Sequence, residues 1–284
     1  MKEILVLSGK GGSGKTSLTS SFIEFSNKSI GCDYDVDASN LPLLFSLDMV
    51  EEHPFSGGQT ASIDPSLCIA CGLCENLCRF EAISNLQVQT LTCEGCALCT
   101  HICPVQAITM RPRSSGRWFS AILSDKRNMF FAELRPGEEN SGKLVACIKD
   151  QARQVAQRKD DSIIISDGPA GLGCSVISAL TAVDLVIIIS EPSISGIADV
   201  QRLYQLIKTR GIKAVLVINK FDINLQGSCE LEKWAASEGI PLCGRIPFDN
   251  GIFTAISSGV VPGSIAEVRP QLMAVWEEVL LHIK

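Results

Sequence analysis

Apolar residues follow two rhythms along this chain. Short, unbroken aliphatic runs at 4–7, 163–165, 185–189 and 214–218 alternate with longer stretches in which apolar positions return every three or four residues. The first kind suits strands buried on both faces, and the second suits helices laid over them. The alternation predicts an α/β fold with a mostly parallel sheet and helices on both faces. The expected strands are 3–7, one ending near Cys32, 162–166, 185–189, 214–218 and 241–246. Helices are expected at 15–27 and 141–157, and again between and after the later strands. Residues 118–123 and 129–134 read as a hairpin across 124–128. The stretch 268–284 has helical spacing but carries Glu277 and Glu278, so it reads as a helix packed on the domain and not as a basic membrane-surface helix.

One region breaks the alternation. Between about 56 and 112 cysteine recurs at short intervals, which predicts a discontinuous α/β domain (1–55 and 113–284) interrupted by an insert at 56–112. Of the 13 cysteines, eight lie between Cys68 and Cys103. With no export signal at the N-terminus, that crowding points to metal and not to disulfides. Aromatics are only 6% of the chain, so aliphatic side chains fill the core. A net charge of −6 argues against nucleic acid as a partner. No apolar run reaches the ~18 residues of a membrane span. The expectation is a cytoplasmic protein with no stable membrane anchor.

The first expected strand runs into Gly9-Lys10-Gly11-Gly12-Ser13-Gly14-Lys15-Thr16, which fits G-x-x-x-x-G-K-[ST]. Glycine lets successive backbone N–H groups, here those of Gly11, Gly12, Ser13 and Gly14, converge on phosphate oxygens at the positive end of the next helix. Lys15 would reach the β- and γ-phosphates, and the Thr16 hydroxyl would ligate Mg²⁺. The position between strand and helix is where this chemistry belongs.

The extra lysine narrows the match. K-G-G-x-G-K-[ST] resembles the deviant phosphate loop of the MinD/ParA/Mrp family, which also includes the nitrogenase iron protein. The resemblance implies a SIMIBI-type P-loop NTPase in which Lys10 reaches across a dimer interface to the partner subunit's nucleotide. It also implies a switch aspartate in the acidic loop 33–37, Asp35 by its spacing to Asn40, with Asp37 the alternative. Ser166-Asp167-Gly168-Pro169-Ala170-Gly171 is similar to the family's D-x-P-[PA]-G element. Asp167 would hold the water shell of Mg²⁺, and the Gly171 amide would sense the γ-phosphate. Asn219-Lys220-Phe221-Asp222 is similar to the guanine-reading N-K-x-D of GTPases, but in the resembled family an asparagine here contacts adenine. Ile246-Pro247-Phe248 fits the element that packs near the base, placing Pro247 there and favouring ATP over GTP.

In the insert, Cys68-x2-Cys71-x2-Cys74-x3-Cys78 recurs 25 residues later as Cys93-x2-Cys96-x2-Cys99-x3-Cys103-Pro104. This is the bacterial two-cluster ferredoxin pattern, in which the fourth cysteine of each run ligates the other cluster. Cys68, Cys71, Cys74 and Cys103 would hold one [4Fe–4S] cluster, and Cys78, Cys93, Cys96 and Cys99 the other. Zinc suits a lone C-x2-C pair but not eight cysteines in duplicated order. Arg79 departs from the proline expected after Cys78. Acidic residues around the cysteines (Asp64, Glu75, Glu81, Glu94) favour a partner with basic surface.

Cys147, Cys229 and Cys243 read as small core residues, whereas Cys32 and Cys174 lie near the acidic loop and the switch glycines, where redox sensing or a cluster at a dimer interface is the alternative. Taken over the whole chain, the resemblance is to MinD-superfamily ATPases with an inserted bacterial dicluster ferredoxin-like α+β module. It implies an ATPase that forms a homodimer, or a heterodimer with a related ATPase, and couples turnover to electron flow toward a redox partner. The alternatives are an ATP-dependent carrier or assembly factor for metal clusters and a spatial-positioning ATPase.

Overall fold

The computed structural model describes residues 1–159 and 162–283. The chain opens with β1 (Lys2–Ser8), α1 (Lys15–Phe25), β2 (Ser29–Asp33) and a long β3 (Leu47–Ile63). Short elements follow: α2 (Leu73–Asn76), β4 (Ile83–Ser84), β5 (Gln87–Val88) and α3 (Leu98–Ile102). Next come β6 (Ile108–Leu123), β7 (Asn128–Leu134), α4 (Ser141–Gln157), β8 (Ile163–Ala170), α5 (Cys174–Ala179) and β9 (Leu185–Ser190). The chain closes with α6 (Ile194–Lys208), β10 (Lys213–Asn219), α7 (Leu225–Glu238), β11 (Leu242–Ile246), α8 (Asn250–Ser257) and α9 (Arg269–His282).

Nine strands form one sheet in the order β11-β10-β9-β1-β8-β2-β7-β6-β3. From β11 to β7 every pairing is parallel. Both faces of β1 are covered: Ile4 and Val6 join a core with Leu18, Phe22 and Trp276, while Leu5 and Leu7, which face the other way, are equally buried. That is why these strands read as continuous apolar runs. In α9 the buried residues are Leu272, Val275, Trp276 and Val279, the single stripe of a helix lying on the domain. Trp276 meets Phe22 of α1 with ring centroids 4.8 Å apart. Lys284, the last residue of the expected 268–284 helix, lies outside the described residues.

The expected hairpin is present, and its turn also serves another element. Lys126 N–H bonds the Leu123 carbonyl at 2.8 Å, and Arg127, buried, turns its guanidinium onto the carbonyls of Ile23 and Ser26 at the end of α1. A cation beside these last carbonyls suits the negative end of the helix dipole. Cys229, expected in the core, is exposed, because it faces out from α7.

The chain divides into two compact units. One comprises Met1–Glu52, Trp118–Glu133 and Ser141–Lys284; the other comprises His53–Arg117 and Leu134–Asn140. Strands β3 and β6 continue across the division, so the second unit is wider than 56–112 and takes in a returning segment that carries no cysteine.

Within the second unit the 25-residue repeat of the sequence is also a repeat of the backbone. Ala70 and Gly95, Gly72 and Ala97, and Glu81 and Gln106 are all left-handed, in matched pairs. Asp64 N–H bonds the Ala107 carbonyl at 2.8 Å, and its counterpart Gln89 N–H bonds the Ala82 carbonyl at 2.7 Å. Each half therefore borrows its closing hydrogen bond from the other. The apolar centre is small: Ala61, Cys74, Ile83 and Ile108.

Candidate functional site

In the first unit the register brings chemistry to the carboxyl ends of five strands. Val6 pairs with Asp167 and Asp33 with Asp167, so β1, β8 and β2 end side by side, and Ile218 of β10 pairs with Ser190 of β9. This edge is where ligands bind in open α/β sheets. The loop after β1 turns at Gly12 and Gly14, both left-handed, and delivers Lys15 to the start of α1. Gly14 admits no side chain: a Cβ there would stand 2.4 Å from the Asn219 amide nitrogen.

Thr16 donates its hydroxyl to Asp167, and the Thr19 hydroxyl lies 3.3 Å from the other carboxylate oxygen. Asp167 is buried, and burial pushes its pKa up; the Lys15 charge and the Thr16 hydroxyl oppose the rise. Asp35 is half-buried and likewise pushed up by burial, with Lys15 pulling it back, while Asp37 is exposed. One cation, Lys15, thus sits among two carboxylates and a hydroxyl, where a magnesium-bound phosphate would find both signs of charge and an oxygen ligand. Gly171 is left-handed at the turn after β8.

Three expected residues have partners within the chain. Asn219 donates its amide to the Ser13 carbonyl at 2.9 Å, so it braces the phosphate loop. Lys10 is held within its own chain, 3.1 Å from the Ser193 hydroxyl and 3.6 Å from the Glu191 carboxylate. Asp222 accepts the Phe248 N–H at 2.7 Å, which commits one carboxylate oxygen to the backbone next to Pro247.

Sequence reasoning overlooked some of the site. Asp33 is fully buried and accepts the N–H groups of Asp35 and Leu41 and the Ser39 hydroxyl, which shapes the acidic loop. Burial and the neighbouring Asp167 charge hold its carboxyl well above the usual range. Its place as the last residue of a buried strand was the available signal. Lys220 reaches both Glu191 and the Gly12 carbonyl, a contact that joins residues far apart in sequence and that no local pattern announces.

In the second unit the cysteines line two cavities. One is bordered by Cys68, Cys71, Cys74 and Cys103, the other by Cys78, Cys93, Cys96 and Cys99 with Cys74 at its margin. Ala82 N–H points at the Cys78 sulfur at 3.4 Å, and Ala107 N–H at the Cys103 sulfur at 3.3 Å. Cys93 lies below the ordinary thiol range: burial works against this, but the amides of Ala61 and Gly95, the nearby Thr60 hydroxyl and the Arg113 charge outweigh it. Cys74 and Cys99 are pushed up by burial. Among the described residues no three His, Cys, Asp or Glu side chains are arranged to hold a metal ion. Cys32 is buried and pushed up by burial, whereas Cys174 is exposed.

Residues 4–262 match the CobQ/CobB/MinD/ParA nucleotide binding domain. An uncharacterized protein of Methanocaldococcus jannaschii is 34% identical over 225 residues, covering 78% of this chain and 79% of that protein. A putative septum site-determining protein MinD of Oltmannsiellopsis viridis is 24% identical, covering 91% of this chain and 68% of its own length. The septum site-determining protein MinD of Pyrococcus horikoshii, solved with Mg-ADP, shares the fold with a TM-score of 0.59 at 17% identity, covering 98% of this chain and 95% of that one. These relatives correct the expected role. Electron transfer coupled to ATP turnover is overturned, because the relatives with a stated role are septum site-determining proteins.

Proposed function

Starting from its membership of the CobQ/CobB/MinD/ParA nucleotide-binding family, we propose that this chain is an ATP-dependent positioning switch. Two copies close around two ATP–Mg²⁺, a partner protein is held in that state, and hydrolysis releases it. The observation that carries the reading is the convergence of Lys15, Thr16, Asp35 and Asp167 at adjoining strand ends. Lys15 and the amides of Gly11, Gly12, Ser13 and Gly14 bind the β- and γ-phosphates. Thr16 and Asp167, already bonded to each other, would hold Mg²⁺, which would neutralise charge on the phosphates. Asp35, half-buried where Asp37 is exposed, orients the attacking water. Gly171 meets the γ-phosphate. ATP is favoured over GTP because Asp222, the residue that would grip a guanine, is bonded to Phe248.

Lys10 exchanges Glu191 and Ser193 for the partner's nucleotide when the dimer closes. The test is solution mass with ATP and with ADP, using Asp35→Ala to arrest hydrolysis. A dimer is expected with ATP and a monomer with ADP. Adding Lys10→Ala should leave a monomer with ATP, and Lys10→Ala alone should lower ATP hydrolysis at least about tenfold, a barrier rise of about 1.4 kcal/mol. A monomer for Asp35→Ala in saturating ATP would refute the switch.

For the second unit the reading is two [4Fe–4S] clusters, one in each cysteine-lined cavity. The donor set fits: each interleaved set of four thiols lines one cavity, with Cys74 lining both, and backbone N–H groups already point at two of the sulfurs. When bound, each cluster is a redox-active iron–sulfide cage that cross-links both halves of the repeat. The cysteine cavities also support a second reading, a carrier or assembly factor for metal clusters. Iron passing to an apo-acceptor during ATP turnover would favour it over positioning.

A further inference from the structure

The two cysteine cavities are related by the 25-residue repeat, so each is a control for the other. The Cys78/Cys93/Cys96/Cys99 cavity has polar support behind its first ligand. Arg113 donates Nη1–H to the Cys93 carbonyl at 3.0 Å, and its guanidinium is locked by Glu138 at 2.6 Å. Both side chains are largely buried, at 12% and 7% exposure, so the pair holds a defined geometry where a surface pair would wander. At the corresponding position in the other half, 113 − 25 = 88, stands Val88, an apolar residue packed on the small core. Thr60 adds a second, independent observation. Its hydroxyl oxygen is buried and makes no well-formed hydrogen bond, yet it lies beside Cys93, where it favours the thiolate. A buried hydroxyl without a well-formed bond is costly, and a cluster-bound thiolate offers it a charged acceptor.

We propose that Arg113, Glu138 and Thr60 are positioning residues that make the Cys78/Cys93/Cys96/Cys99 site the tighter of the two cluster sites. Residues behind the ligands orient them and accept or donate the hydrogen bonds that a bound sulfur needs, and their loss typically weakens metal retention about 10–100-fold. The Glu138 contribution explains why the returning segment Leu134–Asn140, which holds no cysteine, belongs to this unit. The inference rests on the cluster reading above.

The test reads iron release, not ATPase activity. The full chain is reconstituted anaerobically with ferrous iron and sulfide, then challenged with a ferrous chelator. Cys71→Ser leaves only the Cys93 site, and Cys96→Ser leaves only the Cys68 site. The Cys71→Ser protein should lose iron at least about tenfold more slowly than the Cys96→Ser protein, and Arg113→Ala or Glu138→Gln in the Cys71→Ser background should remove that advantage. Thr60→Val should speed iron loss while raising the melting temperature of the metal-free protein, and Thr60→Ser should restore slow release. A residue that merely stabilised the fold would move both readouts the same way. Equal release from the two single-site proteins, or release indifferent to Arg113 and Thr60, overturns the inference while two bound clusters leave the cluster reading intact. A wild-type chain that takes up no cluster by absorbance and iron content sinks both.

Discussion

Asn219 shows how a residue found by its pattern can have a partner that the pattern does not announce. Its place at the end of a buried strand marked it as part of the nucleotide site, yet its amide nitrogen bonds the Ser13 carbonyl. A brace of this kind acts through the loop and not through the base. Asn219→Ala should therefore raise the dissociation constants of ATP and of inorganic triphosphate alike by about tenfold, the ~1.4 kcal/mol of a lost buried hydrogen bond. Calorimetric titration with both ligands checks it; a loss confined to ATP would restore the adenine contact. Local patterns cannot show such a choice, because the Ser13 carbonyl is 206 residues away in sequence.

At the scale of elements, hydrophobic rhythm located the parallel strands and their helices, since burial on two faces or along one stripe is written directly into residue spacing. It missed β3 (Leu47–Ile63), whose exposed and half-buried residues carry no such rhythm. It also omitted polar ties. Glu3, at the start of β1, is almost fully buried and accepts Lys149 of α4 at 2.7 Å, Arg153 of α4 at 2.7 Å and the Tyr34 hydroxyl at 3.2 Å. Lys149 also bonds the Ala179 carbonyl at the end of α5, which ties the helix after the Asp167 turn to the sheet. Burial holds the Lys149 pKa below the usual lysine value, with Glu3 opposing the shift. Lys149→Met should destabilise the chain by about 3 kcal/mol by leaving Glu3 short of a partner. Glu3→Gln added to Lys149→Met should recover part of that loss in urea unfolding. A double variant no more stable than the single one would show that the charge pair is not what matters.

For the whole molecule, the two units differ in what can hold them together. The first has a wide aliphatic core on both faces of its sheet. The second centres on four small or medium side chains, too little apolar burial to offset chain entropy without cross-links. Chelator-treated protein should consequently melt in two transitions, the second unit first. Adding ATP–Mg²⁺ at about 100 times its dissociation constant should shift only the later transition, by about 2.7 kcal/mol of added stability. A single transition that moves as a whole would show that the second unit draws its stability from the first.

The residue string alone was enough to place a phosphate loop between strand and helix, an aspartate in the carboxyl-terminal half of β8, and eight cysteines in duplicated order. Each of these rests on short-range geometry: backbone reach, strand-end exposure and the spacing of thiols on one loop. Partners distant in sequence came only with folding. Lys10 rests on Glu191 and Ser193, Asp33 organises the acidic loop beside Asp167, and Arg113 braces Cys93 from a strand that the cysteine pattern never mentions. The division follows from the physics. Periodicity encodes which side of an element is buried, whereas hydrogen bonds between elements depend on register and strand order, which exist only once the sheet has formed.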